Sequence, residues 1–200
     1  MATTRRGGYA KGRERRDAIL RAANEVFAAH GFHRASLATI ATRVGLSEPG
    51  LLHHFPSKEH LLLELLALRH DHDAERVARA LADHEGFLDA LLGLCRENEE
   101  TAGLVRLFTI LVGESVDDDH PAHDWMVERY RGLRERFTAR IETEQREGRI
   151  AAGLDPDLLA PQLIAMLDGL QLQWLLDPDD VDLSGVFADF LERLRPPASA

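Results

Sequence analysis

The stretch SLATIATRVGLSEPGLLHHFPSK, residues 36–58, decides the fold. Ser36 stands before Leu37, Ile40, Ala41 and Val44, an apolar set at helical spacing, and Gly45 follows where a helix stop belongs. Just beyond, Ser47 is a second cap. Glu48 suits the positive start of a helix, and Pro49 occupies the first turn, where its missing N–H is not needed. That helix is short, ending near Phe55 and Pro56. Two short helices joined by a tight glycine-bearing turn, the second opening on a capped polar turn, form a helix-turn-helix pattern. Such a unit sets the start of its second helix into the DNA major groove. An ordinary helical hairpin has the same outline, and local charge favours the DNA-binding reading.

The whole chain has 200 residues and a formal net charge of −10, but that average hides a division. Residues 1–58 hold ten Lys and Arg against four Asp and Glu, whereas the remainder holds fourteen against thirty. A basic head on an acidic body confines polyanion binding to the N-terminal quarter. With 44% hydrophobic and 29% charged residues the chain is neither disordered nor membrane-embedded. The single Cys95 excludes an intramolecular disulfide and a multi-cysteine zinc site and fits a reducing interior. No apolar signal core follows the basic start, so a cytoplasmic protein is expected.

Outward from the central stretch everything reads as helix. Leu occurs 32 times against 15 for Val plus Ile, and no strand alternation is flanked by hairpin turns. A first helix from about Gly12 to His30 aligns Ile19, Ala22, Ala23, Val26 and Phe27, and Gly31 stops it. Ser57 caps a fourth helix reaching about Ala82, long enough to leave the head and enter the body. Further helices are expected over Gly86–Glu99, Ala102–Val116, His123–Glu147, Pro156–Leu176 and Leu183–Leu194. The first dozen residues and the tail from Pro196 are expected to be mobile. The division falls at residues 1–58 for a DNA-binding head with a basic arm and 59–200 for a helical body.

The segment Arg16–Leu63, with Ala22-Ala23, Phe27, Gly31-Phe32, Ser36-Leu37, Ile40-Ala41, Gly45-Leu46-Ser47 and His54-Phe55-Pro56-Ser57-Lys58-Glu59, strongly resembles the TetR family of transcriptional regulators. The resemblance implies an all-α fold with a three-helix head and a C-terminal ligand-binding and dimerisation body. It also implies a homodimer on a palindromic operator, usually a repressor, released by a small molecule; activation instead of repression stays open. In the family the positions matched by Ser36 and Lys58 contact phosphate, which suits a hydroxyl and an ammonium at helix starts. Glu48, Pro49, Gly50, His53 and His54 look like the family's base- and backbone-facing set, and Thr39 and Ser47 are further candidate DNA contacts. Glu48 is suited to accept from a cytosine amino group or to serve the helix dipole, and His54 either to touch DNA or to pack on the fourth helix. Two positions depart from the pattern: Leu52 replaces a phosphate-touching tyrosine and Ala38 a base-reading arginine. Arg5, Arg6, Lys11 and Arg13 are suited to a DNA-contacting arm or a solvated tail.

In the body, Pro156–Leu176 is apolar on more than one face and Leu183–Leu194 carries a broad apolar stripe, so two helices per subunit can close a four-helix dimer interface. Phe108, Leu111, Trp125, Tyr130, Phe137, Met166 and Gln171 are of the type that lines a ligand pocket or fills an ordinary core. Asp168 and Glu114 interrupt apolar runs and are suited to face a cationic ligand or to stand as exposed or interface-paired carboxylates. No catalytic motif, cofactor signature or phosphate loop is present, and a non-enzymatic protein without cofactor is expected. A metal-responsive regulator using His70 to Asp73, or Asp117 to His120 with His123 and Asp124, is the rival reading, although alternate helix positions diverge. A DNA-binding dimer with no small effector is the other.

Overall fold

The computed structural model describes residues 4–82 and 86–197, with side chains from Gly12 onward, and all its regular elements there are α-helices. In chain order they are α1 (Thr4–Arg34), α2 (Leu37–Arg43), α3 (Glu48–Leu52), α4 (Lys58–Ala82), α5 (Phe87–Glu100), α6 (Ala102–Glu114), α7 (His123–Arg146), α8 (Pro156–Leu176) and α9 (Leu183–Glu192). None of these helices is long and apolar enough to cross a membrane. The side chains of Arg5, Arg6 and Lys11, read as an arm, lie outside the described residues, as do Ala198 to Ala200.

Two ends of these helices follow from backbone chemistry. Gly31, at φ 70 and ψ 174, breaks the helical path inside α1, so Phe32 to Arg34 turn away from its axis. Gly45, at φ 67, closes α2 in a Schellman arrangement: Leu46 N–H donates to Ala41 at 2.9 Å and Gly45 N–H to Thr42 at 3.2 Å. Both conformations favour glycine because a Cβ would crowd the following carbonyl. The start of α1 corrects the sequence reading. Residues 4–11 carry the helical backbone ahead of the start expected at about Gly12, since extending a helix whose later turns are packed adds a hydrogen bond for each residue fixed.

The apolar interior gathers into two clusters. The first joins Ile19, Phe27, Ile40, Leu51, Phe55 and Leu62, all 0–1% exposed, with Leu107 and Leu111 of α6 and Met126 of α7. The second joins Phe87, Leu91, Cys95, Ile141, Leu163 and Phe187. Burial pushes the Cys95 thiol up to about 12, so it remains a protonated core side chain. Through α6, the head core takes in part of the body.

Candidate functional site

On the head, the structure brings Ser36, Thr39, Ser47, Glu48, Pro49 and Gly50 to the starts of α2 and α3, His53 and His54 to the end of α3, and Lys58 to the start of α4. Ser36 Oγ accepts from the Thr39 N–H at 3.1 Å and lies 2.8 Å from Thr39 Oγ1. Ser47 Oγ accepts from the Gly50 N–H at 3.2 Å. Each cap oxygen satisfies a helix-start donor, and a hydroxyl that accepts in this way still has its own proton to donate. Ser36, Thr39, Ser47, Glu48, Pro49 and His53 are exposed, and Gly50 and His54 are half-buried. Burial first, then the charges of His53, Arg16 and Arg15, hold the His54 imidazole below its ordinary value.

Much of the head's basic charge holds the head together, a role the sequence reading did not assign. Arg15 donates to the Val44 carbonyl at 3.0 Å and Arg16 to the His54 carbonyl at 2.7 Å. The Arg16 guanidinium also lies 4.3 Å from the Phe55 ring centre and pairs with Glu64. Lys58 departs furthest from expectation. Its Nζ faces the carbonyls of Phe32, His33 and Ala35 at 2.9, 3.4 and 3.2 Å and sits 4.3 Å from the Phe32 ring centre. An ammonium has three protons, and here the three carbonyls take them. Lys58 therefore ties the start of α4 to the α1–α2 junction.

The body encloses a cavity of about 340 Å³ between α4, α5, α7 and α8, with Phe108 of α6 and Phe187 of α9 completing the wall. Of the seven residues expected there, Phe108, Phe137 and Gln171 line it. The other four do not. Leu111 is sealed in the head core and Trp125 packs against that same core, because α6 and the start of α7 lean on the head. Met166 faces a groove between α8 and α9. Tyr130 stands behind the wall, donating its phenol O–H to Asp168 Oδ2 at 2.8 Å. Burial is the chief force raising both the Tyr130 phenol and the Asp168 carboxyl.

Apolar side chains from Val77, Leu81, Phe87, Leu91, Leu133, Leu163 and Leu167 make most of the wall. Its polar part was not anticipated. Arg69 donates to Asp73 at 2.9 Å and to Asn98 Oδ1 at 2.8 Å. Arg129 reaches His70 Nδ1, stands 3.9 Å from Asp73 and lies 4.8 Å from the Phe108 ring centre. Burial, then Arg129 and Arg136, hold His70 below its ordinary value, so it accepts from Arg129 as neutral imidazole. The spacing of Arg129, Leu133, Arg136, Phe137 and Arg140 is the signal that was available: it is one face of α7.

Neither acidic and histidine-rich run converges. Asp71 and His72 are exposed away from His70, and His123 is engaged with the Ser115 carbonyl at 2.9 Å. Among the described residues no group of three or more His, Cys, Asp or Glu side chains is arranged to hold a metal ion.

Comparison with known proteins gives two adjoining family matches. Residues 19–65 match the bacterial regulatory proteins of the tetR family, and residues 84–196 match the C-terminal part of BetI-type transcriptional repressors. The chain is 31% identical over 184 residues to the HTH-type transcriptional regulator TtgR of Pseudomonas putida, covering 86% of this chain and 85% of that protein. A TetR-family regulator from Agrobacterium tumefaciens superposes with a TM-score of 0.81 at 21% identity, over 92% of this chain and 100% of that one. A transcriptional regulator from Saccharomonospora viridis, solved in complex with choline, superposes with a TM-score of 0.74 at 26% identity, over 90% and 96% of the two chains.

Proposed function

This chain belongs to the TetR family of bacterial regulatory proteins, and on that premise we propose that it is a homodimeric repressor that leaves a palindromic operator when a small organic molecule fills its cavity. The head, residues 1–58, is the DNA-binding part and residues 59–200 form the effector-binding and dimerisation body. Ser36, Thr39 and Ser47 offer hydroxyls to phosphate, while Glu48, Pro49, Gly50 and His53 face the bases and adjoining backbone. Lys58 and His54 position these groups from behind.

The observation that carries this reading is the double position of Phe108. Its ring lines the cavity, and the same side chain packs against the head core. Two further contacts extend the link: Glu114 at the end of α6 accepts from the Phe32 N–H at 2.9 Å, and α4 starts at Lys58 and supplies Arg69 to Leu81 to the cavity wall. A ligand that prefers one placement of α4 and α6 thus biases the spacing of two heads, and the shift equals its differential affinity for the two placements. A spacing of about 34–36 Å between recognition helices serves successive major grooves.

Support for the dimer comes from α8 and α9. Leu158, Leu172, Leu176 and Val186 are exposed there, beside a groove lined by Ala165, Met166, Gly169 and Phe190. A patch of this kind on one side of a helical body suits a self-complementary interface. Footprinting on DNA selected by the protein from genomic fragments tests the proposal. It predicts protection of two inverted half-sites; protection of a single unrepeated site contradicts the dimer.

A further inference from the structure

The polar groups around the cavity are not balanced in charge. Arg69, Arg129, Arg136 and Arg140 line it against two carboxylates, Asp73 and Asp168. Arg140 has its own partner outside, Glu144 at 2.8 Å. Asp73 is shared by Arg69 at 2.9 Å, Arg76 at 3.8 Å and Arg129 at 3.9 Å, and Asp168 is engaged by Tyr130. Arg136, at the solvent-exposed edge of the lining, has no carboxylate partner among the described residues. Its guanidinium folds back along α7, so that Nη1 lies 3.0 Å from where a Cβ on Gly132 would stand, which brings it toward the level of Arg129. Arg129 is itself poorly supported. Its side chain is 11% exposed, its Nε has no hydrogen-bond partner among the described residues, and burial works against its charge more strongly than Asp73 favours it.

Against one buried acceptor of the wall without a hydrogen-bond partner among the described residues, Asp73 Oδ1, two amides add donors. Gln171 is 6% exposed, lines the cavity, and has no hydrogen-bond partner for its amide among the described residues. Asn98, 1% exposed, lines the same cavity and spends its carbonyl on Arg69, so its NH₂ remains to donate. The remaining wall is apolar. From Asp73 to Leu81, α4 runs about 12 Å at 1.5 Å per residue, from the arginine cluster to the Phe87 side.

We propose that the cavity is a receptor for an amphipathic organic anion, whose carboxylate meets Arg129 and Arg136 with the amides of Asn98 and Gln171, and whose apolar chain lies along Leu81, Phe87 and Leu163. The inference deepens the effector reading of the same cavity and rests on it for its biological meaning. A cationic head group would share the wall with the poorly supported Arg129 and with Arg136, while Asp168 is held by Tyr130 and Asp73 faces three arginines with only its Oδ1 lacking a hydrogen-bond partner among the described residues. An anion instead supplies the missing counter-charge, and guanidinium donors suit a planar carboxylate.

The test uses the full chain carrying Trp174→Phe, so that Trp125, 5.8 Å by ring centre from the Arg129 guanidinium, reports on the polar end. Decanoate, decanol and decyltrimethylammonium share one apolar chain and differ in head-group charge. Fluorescence and calorimetric titrations are expected to show decanoate binding at least about tenfold tighter than either other probe, a difference of about 1.4 kcal/mol. Arg136→Gln, at an exposed position without an ion pair, is expected to remove that advantage while leaving decanol binding and the unfolding temperature unchanged. Tighter binding of decyltrimethylammonium, equal binding of all three, or no binding by any of them overturns the proposal. So does an Arg136→Gln protein that retains the full preference. Because these titrations contain no DNA, decanoate binding that leaves operator affinity unchanged would uphold the anion site and count against the release mechanism alone.

Discussion

The carboxylate of Glu114, at the last turn of α6, accepts a hydrogen bond from the backbone N–H of Phe32, 82 residues earlier, at 2.9 Å. The preceding residue, Gly31, has the left-handed φ of 70, and a Cβ there would stand 2.3 Å from Glu114 Oε1. One acidic side chain thus occupies the space that a glycine leaves and satisfies the donor of a residue that is 3% exposed. This is the most direct polar link between the head and the helix that carries Phe108.

Removing it should cost stability. In Glu114→Ala the buried Phe32 N–H is left without its acceptor, which costs about 1–3 kcal/mol. Urea unfolding measures this, and Glu114→Gln, which keeps an amide oxygen in place, should recover part of the loss. A change below about 0.5 kcal/mol in the alanine variant, the range of neutral surface substitutions, would mean that the link contributes nothing.

Lys58 makes a second link, and its role separates by salt dependence. If its ammonium serves the three carbonyls of the α1–α2 junction, Lys58→Met lowers the unfolding temperature and weakens DNA binding with an unchanged slope of log affinity on log salt. A phosphate contact would instead reduce that slope by about 1 without a stability loss. The first result is expected.

These two residues show what was legible in the chain and what was not. Helix ends were readable because Ser36, Ser47 and Gly45 act on groups within a few residues of themselves, where spacing is fixed by the backbone. Lys58 and Glu114 act across 26 and 82 residues, and nothing local marks their partners. The cavity was harder for the same reason. Leu111 and Phe108 are both apolar and one turn apart on α6, yet one is sealed in the head core and the other also borders empty space. Residue type cannot separate those outcomes. The arginines on one face of α7 were visible at helical spacing, but a row of charges usually means solvent, and only the packing of α4 and α8 turns part of it inward.

His120 gives the molecule a pH dependence of definite sign. Its ring is buried between Phe32 and His33 of the head, Glu114 of α6, and Ser115 and Asp117 of its own loop. Nδ1 lies 3.2 Å from the Ala122 backbone nitrogen and 3.1 Å from Ser115 Oγ. Burial, partly opposed by Glu114, holds the folded pKa below 6.5, so the unfolded chain takes up the proton first as pH falls. Stability from this group is complete above the unfolded value of 6.5 and declines as pH drops through the folded one, with His54 and His70 adding in the same direction. Urea midpoints across that range should fall less steeply in His120→Gln. Parallel curves for the two proteins would remove His120 from this account.

Gly169 tests the dimer without disturbing the subunit. A Cβ built there meets nothing within 4 Å, although the residue lines the groove between α8 and α9. Gly169→Glu should therefore keep the helical content and unfold no more easily as a subunit, while light scattering reports 22.4 kDa instead of twice that mass. A variant that remains dimeric would move the interface away from this groove.

Specific, phosphate-anchored DNA recognition by the head is read by fluorescence anisotropy with DNA from upstream of the protein's own gene and a scrambled control, across a salt series. The head is expected to prefer the upstream sequence, with log affinity that falls linearly with log salt. Equal affinity for both sequences, or no binding at low salt, would contradict it.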